Sequence, residues 1–351
     1  MRSFDYSTLK EKTWDHEIIS LIAQIHEYKG RQEVYLKQKP EELNKLVEIA
    51  KRQSTEASNA IEGIRTTNAR LKELCEEKTT PKNRDEEEIL GYRDVLNTIH
   101  ENYEYISIRT NYILQLHRDL YKYTEKSIGG HFKISQNVIA AIDRNGKEYI
   151  LFTPLAPYET APAMDAICES YNKMIENDEL DAILLIPIFI HDFLCIHPFS
   201  DGNGRMSRLL TALLLYRSGY VVGKYISIES KIANNKDLYY KALEDCQSGW
   251  YENDEDVTPF VKYMLRIILA AYRDFEERVE LVSEKLPAKE MVRRAIYSKM
   301  GKLSKSDISE LCPSIGVKSV ELALKQLVDE GVLEKKGLGR ATFYIRKDIN
   351  L

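Results

Sequence analysis

The chain has 351 residues, more than the roughly 300 at which one hydrophobic core usually stops growing, so we expect two or three domains. It is 43% hydrophobic and 30% charged, which excludes an intrinsically disordered protein. The longest apolar run, 182–190, is far shorter than the ~20 residues of a membrane span, and we expect no secretory signal because the first residues contain no apolar segment. Five cysteines without CxxC spacing predict a cytoplasmic protein without a disulfide framework or a zinc site.

The net charge of −5 is unevenly distributed along the chain. Residues 287–351 contain 13 Lys and Arg against 8 Asp and Glu, so this segment carries +5 and the remainder carries −10. A basic segment on an acidic body is typical of a module that binds nucleic acid or an acidic partner, and equally of a solvated basic face.

Most of the predicted elements are helices. The pattern is largely helical from Glu17 to Lys51, and Pro40 opens a second helix that can run to Glu62, with Gly63 as its C′ residue. Further helices are predicted at 85–101, 109–123, 158–176, 179–195, 204–217, 236–246 and 259–286.

One β-hairpin interrupts this helical pattern. β-Branched and aromatic residues flank Asn145-Gly146, a strong signal for a hairpin turn, and the hairpin spans about Gln136–Phe152. A single hairpin inside a helical body indicates that it has a task of its own.

The last 65 residues predict a different arrangement. Three short helices, at 292–300, 305–311 and 317–330, precede two strands around Gly337 and Gly339. This order is typical of a winged helix-turn-helix, in which the third helix can enter a DNA major groove.

The segment 196–209, IHPFSDGNGRMSRL, combines groups that suit phosphoryl or nucleotidyl transfer. The glycines of 202–204 allow a tight turn directly before a helix, whose free N–H groups form an anion site. Arg205 and Arg208 lie three residues apart, so both can reach one polyphosphate. Asp201 is placed to hold a divalent cation, and His197 is placed to accept a proton from an attacking hydroxyl.

The run HPFSDGNGRMSR resembles the Fic-family signature HxFx(D/E)GNGRxxR at every specified position. The resemblance implies a mainly α fold with a Fic-type helical core and the hairpin as a flap that pairs with a target's backbone. It also implies a protein adenylyltransferase, a nucleotidyltransferase that moves AMP from ATP to a Ser, Thr or Tyr hydroxyl of a protein and releases pyrophosphate.

Each residue of the signature receives a role from this resemblance. His197 would deprotonate the hydroxyl, and Asp201 would bind Mg²⁺ on the phosphates of ATP. The backbone of 202–204 and the side chains of Asn203 and Arg205 would line the anion hole, and Arg208 would hold the γ-phosphate. The complete set of implied ATP-binding residues, with two tyrosines placed near the adenine, is Gly202, Asn203, Gly204, Arg205, Met206, Ser207, Arg208, Tyr239 and Tyr240.

A second short motif lies at Ser58–Gly63, which matches the (S/T)xxxE(G/N) inhibitory motif of regulated Fic proteins. Ser58 and Glu62 are four residues apart and so share one helical face. The resemblance implies that Glu62 pairs with Arg208 and prevents productive seating of the γ-phosphate, because a carboxylate at that place repels the phosphate and occupies its partner. Gly63 completes the inhibitory motif.

The predicted domains are an N-terminal helical region with the inhibitory motif at 1–108, the Fic core at 109–250, a helical extension at 251–286 and a winged helix-turn-helix at 287–351. The expected partners are ATP, a protein target and the chain itself as a target. We also expect a homodimer, no membrane, and docking of DNA or protein through the winged helix.

Two alternatives to autoinhibited AMP transfer stay open at this point. In the first, the same site removes AMP from a modified protein, with Glu62 activating water. In the second, the protein is a DNA-binding regulator whose core senses nucleotide, which would give a steep salt dependence of duplex binding.

Overall fold

The computed structural model describes residues 2–38, 40–125, 127–142, 148–283, 286–297, 299, 301–312 and 315–347. The fold is mainly helical, which confirms the predicted fold class. The chain divides into two compact units, one made of Met1–Glu27 and Ala50–Ala271, the other of Tyr28–Ile49 and Tyr272–Leu351. No helix in the described part of the chain is both long and apolar enough to span a bilayer.

The helices before residue 284 follow the predicted order, with two short additions at α3 and α9. Their bounds are α1 His16–Gln38, α2 Pro40–Ile61, α3 Asn68–Cys75, α4 Arg84–Asn102, α5 Thr110–Leu120, α6 Pro157–Glu176, α7 Ala182–Ile196, α8 Asn203–Arg217, α9 Ile228–Asn234, α10 Lys236–Asp245 and α11 Thr258–Ser283.

Helices α7 and α8 form the centre of the first unit. In α7 the run at 182–190 is apolar on every side, and a helix of that kind is stable only when it is surrounded by protein. Both helices are buried over nearly their whole length and pack against each other. The loop between them, 197–202, is therefore held at both ends by buried helices that pack against each other.

The predicted hairpin is present between α5 and α6. Strands β1 Ile139–Ile142 and β2 Glu148–Phe152 pair antiparallel, with Ala140 opposite Ile150 and a register irregularity next to Ile139. The turn predicted at Asn145-Gly146 lies outside the described residues.

The C-terminal part of the second unit contains three helices and a small sheet. The helices are α12 Ala288–Tyr297, α13 Lys305–Leu311 and α14 Val317–Asp329, and they bury an apolar core that includes Val292, Ile308 and Leu324. The sheet has the order β3-β5-β4, all antiparallel, with β3 Leu303–Ser304, β4 Leu333–Lys336 and β5 Phe343–Arg346. Strand β3 was not predicted, because two residues show no periodicity.

Candidate active site

The loop between α7 and α8 turns sharply through two residues with positive φ. His197 ends α7 in the left-handed conformation, with φ of 50° and ψ of 61°. Gly202 precedes α8 with φ of 83°, and a Cβ atom at this residue would lie 2.9 Å from the hydroxyl of Tyr121. Both the backbone conformation and the close approach of Tyr121 therefore require glycine at position 202.

His197 is held in the state that a general base needs. Its Nδ1 lies 3.2 Å from the carbonyl oxygen of Leu194. Because a carbonyl oxygen only accepts hydrogen bonds, Nδ1 carries the proton and Nε2 keeps its lone pair. Burial lowers the pKa of His197 to about 4, so the imidazole is neutral at pH 7 and can accept a proton.

Asn203 lines the cavity described below and also closes the loop onto itself. Its Oδ1 accepts from the backbone N–H of Phe199 at 2.9 Å, and its Nδ2 donates to the Phe199 carbonyl at 2.7 Å. Both ends of its amide are therefore bound to the loop, and its predicted place at the anion hole stays a prediction. Asn203 thus fixes the distance between the start of the loop and the start of α8.

Asp201 is the single acidic residue of this loop. Its Oδ1 accepts from the backbone N–H of Gly202 at 2.7 Å, and the residue lines the cavity described below. Within the described residues, no group of three or more His, Cys, Asp or Glu is arranged to hold a metal. One carboxylate fits Mg²⁺, which usually keeps several waters and binds through one or two carboxylates together with phosphates of the substrate.

Arg205 lies in a buried network below the loop. It forms an ion pair with Glu88 at 2.7 Å and donates from Nη2 to the hydroxyl of Tyr121 at 2.8 Å. Its Nε and Nη1 have no hydrogen-bond partner among the described residues, although the side chain is nearly inaccessible and lines the cavity. Buried N–H groups need acceptors, so an anion in the cavity is a suitable ligand for this guanidinium.

Arg208 is bound by the predicted inhibitory motif. Its Nε donates to Ser58 Oγ at 2.8 Å and its Nη2 donates to the Ser58 carbonyl at 2.9 Å. Its Nη2 also lies 2.7 Å from Oε1 of Glu62. The motif thus occupies this guanidinium from two sides.

The end of α2 explains how Glu62 reaches α8. Gly63 has φ of 82°, its N–H donates to the carbonyl of Ala60, and the N–H of Ile64 donates to the carbonyl of Asn59. This is the Schellman pattern, with Gly63 at C′ as the sequence predicted. A Cβ atom on Gly204 would lie 2.3 Å from Oε1 of Glu62, so the carboxylate rests directly on the first turn of α8, where an anion is favoured.

Residues 200–205 and Arg208 line one cavity of about 360 Å³. Tyr239 and Tyr240 lie in its wall together with His197, Asp201 and Glu62. The side chains of Met206 and Ser207, which were also predicted to bind ATP, do not line this cavity. Met206 is fully buried in the core, and Ser207 Oγ donates to the Gly204 carbonyl within α8.

Several supporting residues were not predicted from the sequence. Arg84 and Glu88 of α4 line the cavity, and Arg84 Nε donates to Glu88 Oε1 at 2.7 Å. His117 lies under the loop, stacked on Phe199 with ring centroids 3.7 Å apart and with Nε2 3.1 Å from the Asp201 carbonyl oxygen. None of them belongs to a short motif, and only the fold brings them to residues 197–208.

Comparison with known proteins agrees with this geometry. Residues 107–215 match the model of the Fic/DOC family. A Fido domain-containing protein of Dictyostelium discoideum is 27% identical over 148 residues, which are 42% of this chain and 96% of that protein. The protein adenylyltransferase Fic of Drosophila yakuba is 29% identical over 211 residues, which are 59% of this chain and only 38% of that protein.

A solved structure extends the likeness of fold to almost the whole chain. A Fic family protein from Desulfovibrio desulfuricans superposes with a TM-score of 0.62 at 21% identity, and the match covers 97% of this chain and 98% of that one. Sequence motif, family match and fold agree. Residues 107–215 are therefore the part of the chain that is similar to the Fic/DOC family.

Proposed function

We propose that the protein is an adenylyltransferase that moves AMP from ATP to a Ser, Thr or Tyr hydroxyl of a protein. The observation that carries the proposal is a neutral His197, with its Nε2 lone pair available, in the same cavity as Arg205 and Arg208. The relative from Drosophila yakuba, which is named a protein adenylyltransferase, supports the same chemistry.

In the proposed reaction the target hydroxyl oxygen bonds to the α-phosphorus of ATP, and the bond from this phosphorus to the pyrophosphate oxygen breaks. The hydroxyl proton moves to Nε2 of His197. Arg205 and the first turn of α8 stabilise negative charge on the phosphates. Asp201 would hold Mg²⁺, which when bound neutralises part of the charge on the phosphate oxygens.

We further propose that the conformation in this structure is an inhibited one. The Glu62 carboxylate lies on the first turn of α8 and on Arg208, the two places that favour an anionic phosphate. A γ-phosphate and a carboxylate cannot share one guanidinium without strong repulsion. Glu62 must therefore move before ATP is seated for transfer.

The test is incorporation of label from α-labelled ATP with Mg²⁺ into the chain itself, compared between the parent chain, Glu62→Gly and Glu62→Gly/His197→Ala. We expect Glu62→Gly to increase labelling on the order of 10- to 100-fold, since a hydrogen bond to a charged group is worth about 1.5–3 kcal/mol. The double variant should lose it. Labelling that survives in the double variant would refute the role of His197. Release of AMP by water from a labelled chain only when Glu62 is present would indicate the alternative in which this site removes AMP.

For the C-terminal part we propose a winged helix that docks protein and not DNA. Helix α14 carries two lysines and two acidic residues, so it has no net charge, and Lys305 pairs with its Glu321 at 2.7 Å. Leu322 on the same helix is 59% exposed. A helix that enters the major groove usually meets the phosphates with an excess of positive charge.

Fluorescence anisotropy of the full chain with duplex DNA of mixed sequence at low salt tests this choice. We expect no saturable binding. Saturable binding that weakens steeply with salt and is lost in Lys318→Glu/Lys325→Glu would establish the DNA alternative instead.

A further inference from the structure

The segment 133–137, which leads into the flap, is hydrogen-bonded to the last residue of α7 and to the catalytic loop, residues 197–202. The backbone N–H of Lys133 donates to the carbonyl of Pro198 at 2.9 Å, and Lys133 Nζ donates to the carbonyl of Ile196 at 3.0 Å. Asn137 Nδ2 donates to the carbonyls of His197 at 3.2 Å and Phe199 at 3.1 Å. Four consecutive carbonyls, of residues 196–199, are thus bound by two residues of one segment.

Lys133 is an unusual residue to find in this place. It is 2% exposed, and burial lowers its pKa to about 8. Its Nζ donates to the Asn137 side-chain oxygen at 2.9 Å as well as to Ile196. A buried ammonium held by neutral acceptors costs free energy that an apolar residue would not, which points to a role beyond packing.

The Ile196 carbonyl lies at the end of α7, where the last carbonyl groups have no partner inside the helix, and the other three bound carbonyls lie in the loop that follows. A cation is also favoured at that end of a helix. These bonds hold the backbone on both sides of His197, whose left-handed conformation is costly for a residue with a side chain. The same segment continues directly into β1 of the flap.

We propose that Lys133 and Asn137 are positioning residues that fasten the flap to the catalytic loop, so that a polypeptide held by the flap lies at a fixed place relative to His197. The effect on AMP transfer in this inference rests on the proposed function. The effect on the protonation form of His197 rests on the hydrogen bonds alone. If the proposal is correct, the flap and the catalytic loop move together.

The experiment compares Lys133→Met, Lys133→Arg and Asn137→Leu in the Glu62→Gly chain, with Ser135→Ala as the matched control. Ser135 is an exposed residue of the same segment. The first readout is the ¹⁵N spectrum of the His197 ring at pH 7, assigned by its loss in His197→Gln. The second is the ratio of AMP attached to the chain to AMP released by water.

We expect Lys133→Met and Asn137→Leu to reduce the population of the Nδ1–H form of His197 and to lower the ratio of attached to released AMP on the order of 10- to 100-fold. Lys133→Arg keeps a donor and should restore most of both values, and Ser135→Ala should change neither. If Lys133→Met does not fold, Asn137→Leu tests the proposal by the same two readouts.

Two results would overturn the proposal. One is an unchanged His197 spectrum in folded Lys133→Met and Asn137→Leu chains. The other is a changed spectrum with an unchanged AMP ratio, which would make the bonds structural only. If the Glu62→Gly parent attaches no AMP at all, the proposed function fails, and the ¹⁵N readout alone decides whether these residues position His197.

Discussion

Two arginines on one helix are paired with glutamates in different surroundings. Arg205 pairs with Glu88 of α4 at 2.7 Å, and both side chains are 1% exposed. Arg208 pairs with Glu62 at the same distance, but Glu62 is 33% exposed. The Arg205–Glu88 pair is thus closed to solvent, whereas the Arg208–Glu62 pair is partly open to it.

The difference in exposure determines what each pair can do. Removing one partner of a fully buried pair leaves an uncompensated charge. Removing the partly exposed Glu62 costs less, because Arg208 keeps its two hydrogen bonds to Ser58 and the lost carboxylate was already partly solvated. The Arg205–Glu88 pair is accordingly suited to keep α8 and α4 in register. The Arg208–Glu62 pair is suited to open when a phosphate competes for the arginine.

The largest effect is expected from breaking the closed pair. Glu88→Ala should lower the free energy of unfolding by roughly 3–5 kcal/mol, because Arg205 would remain buried without its carboxylate. Glu62→Ala should lower it on the order of 1 kcal/mol. Urea unfolding of both variants measures the difference, and equal losses would show that the two pairs do not differ in the way described.

A second prediction concerns pH, since Glu62 is one of the charges that act on His197 and Glu88 is not among them. With the pKa of His197 lowered to about 4, the imidazole stays unprotonated at pH 5.5, so transfer by Glu62→Gly should change less than about twofold between pH 7.5 and 5.5. Glu62 raises this pKa, and its removal cannot move the loss of activity to higher pH. A tenfold loss of AMP transfer with a midpoint near pH 6.5 would contradict this prediction. It would mean that His197 titrates like an exposed histidine or that another group is the base.

The smallest effect is expected at the end of α2. Lys236 Nζ donates to the carbonyl of Ile61 at 2.7 Å and so holds the residue that precedes Glu62. Lys236→Met should weaken the inhibited state and raise the rate of AMP transfer about two- to fivefold. This factor corresponds to the free energy that a cation contributes at a helix C-terminus. The matched control is Lys241→Met on the same helix, where the lysine forms surface ion pairs with Glu244 and Asp245. An equal rise in transfer there would contradict the explanation.

The sequence predicted those parts of the site that are local in the chain. Residues 197–208 form one short run with a recognisable order of base, acid, glycines and arginines, and α7 was visible as an apolar run. Glu62 lies 146 residues from Arg208 in the chain, and their contact could be predicted only from the resemblance to Fic proteins. Met206 and Ser207 receive their predicted role only because they lie inside this run, and the structure buries both side chains.

The missed features are those that depend on distant parts of the fold. Helices α3 and α9 have eight and seven residues, too few for a clear period. Glu88, Lys133 and Asn137 carry no motif, and nothing in their neighbours in the chain indicates that their partners lie in or beside the loop at 197–202. A buried lysine in particular is predicted from sequence to be a surface residue, because lysine side chains are rarely buried.

The most direct test of the central claim, that Glu62 inhibits by occupying Arg208, is a double-mutant cycle on AMP incorporation. The rates of the parent chain, Glu62→Gly, Arg208→Ala and the double variant are compared at saturating ATP and Mg²⁺. We expect Glu62→Gly to raise the rate only when Arg208 is present, with no increase in the Arg208→Ala chain. An equal increase in both chains would contradict the claim and show that Glu62 acts on the site without Arg208.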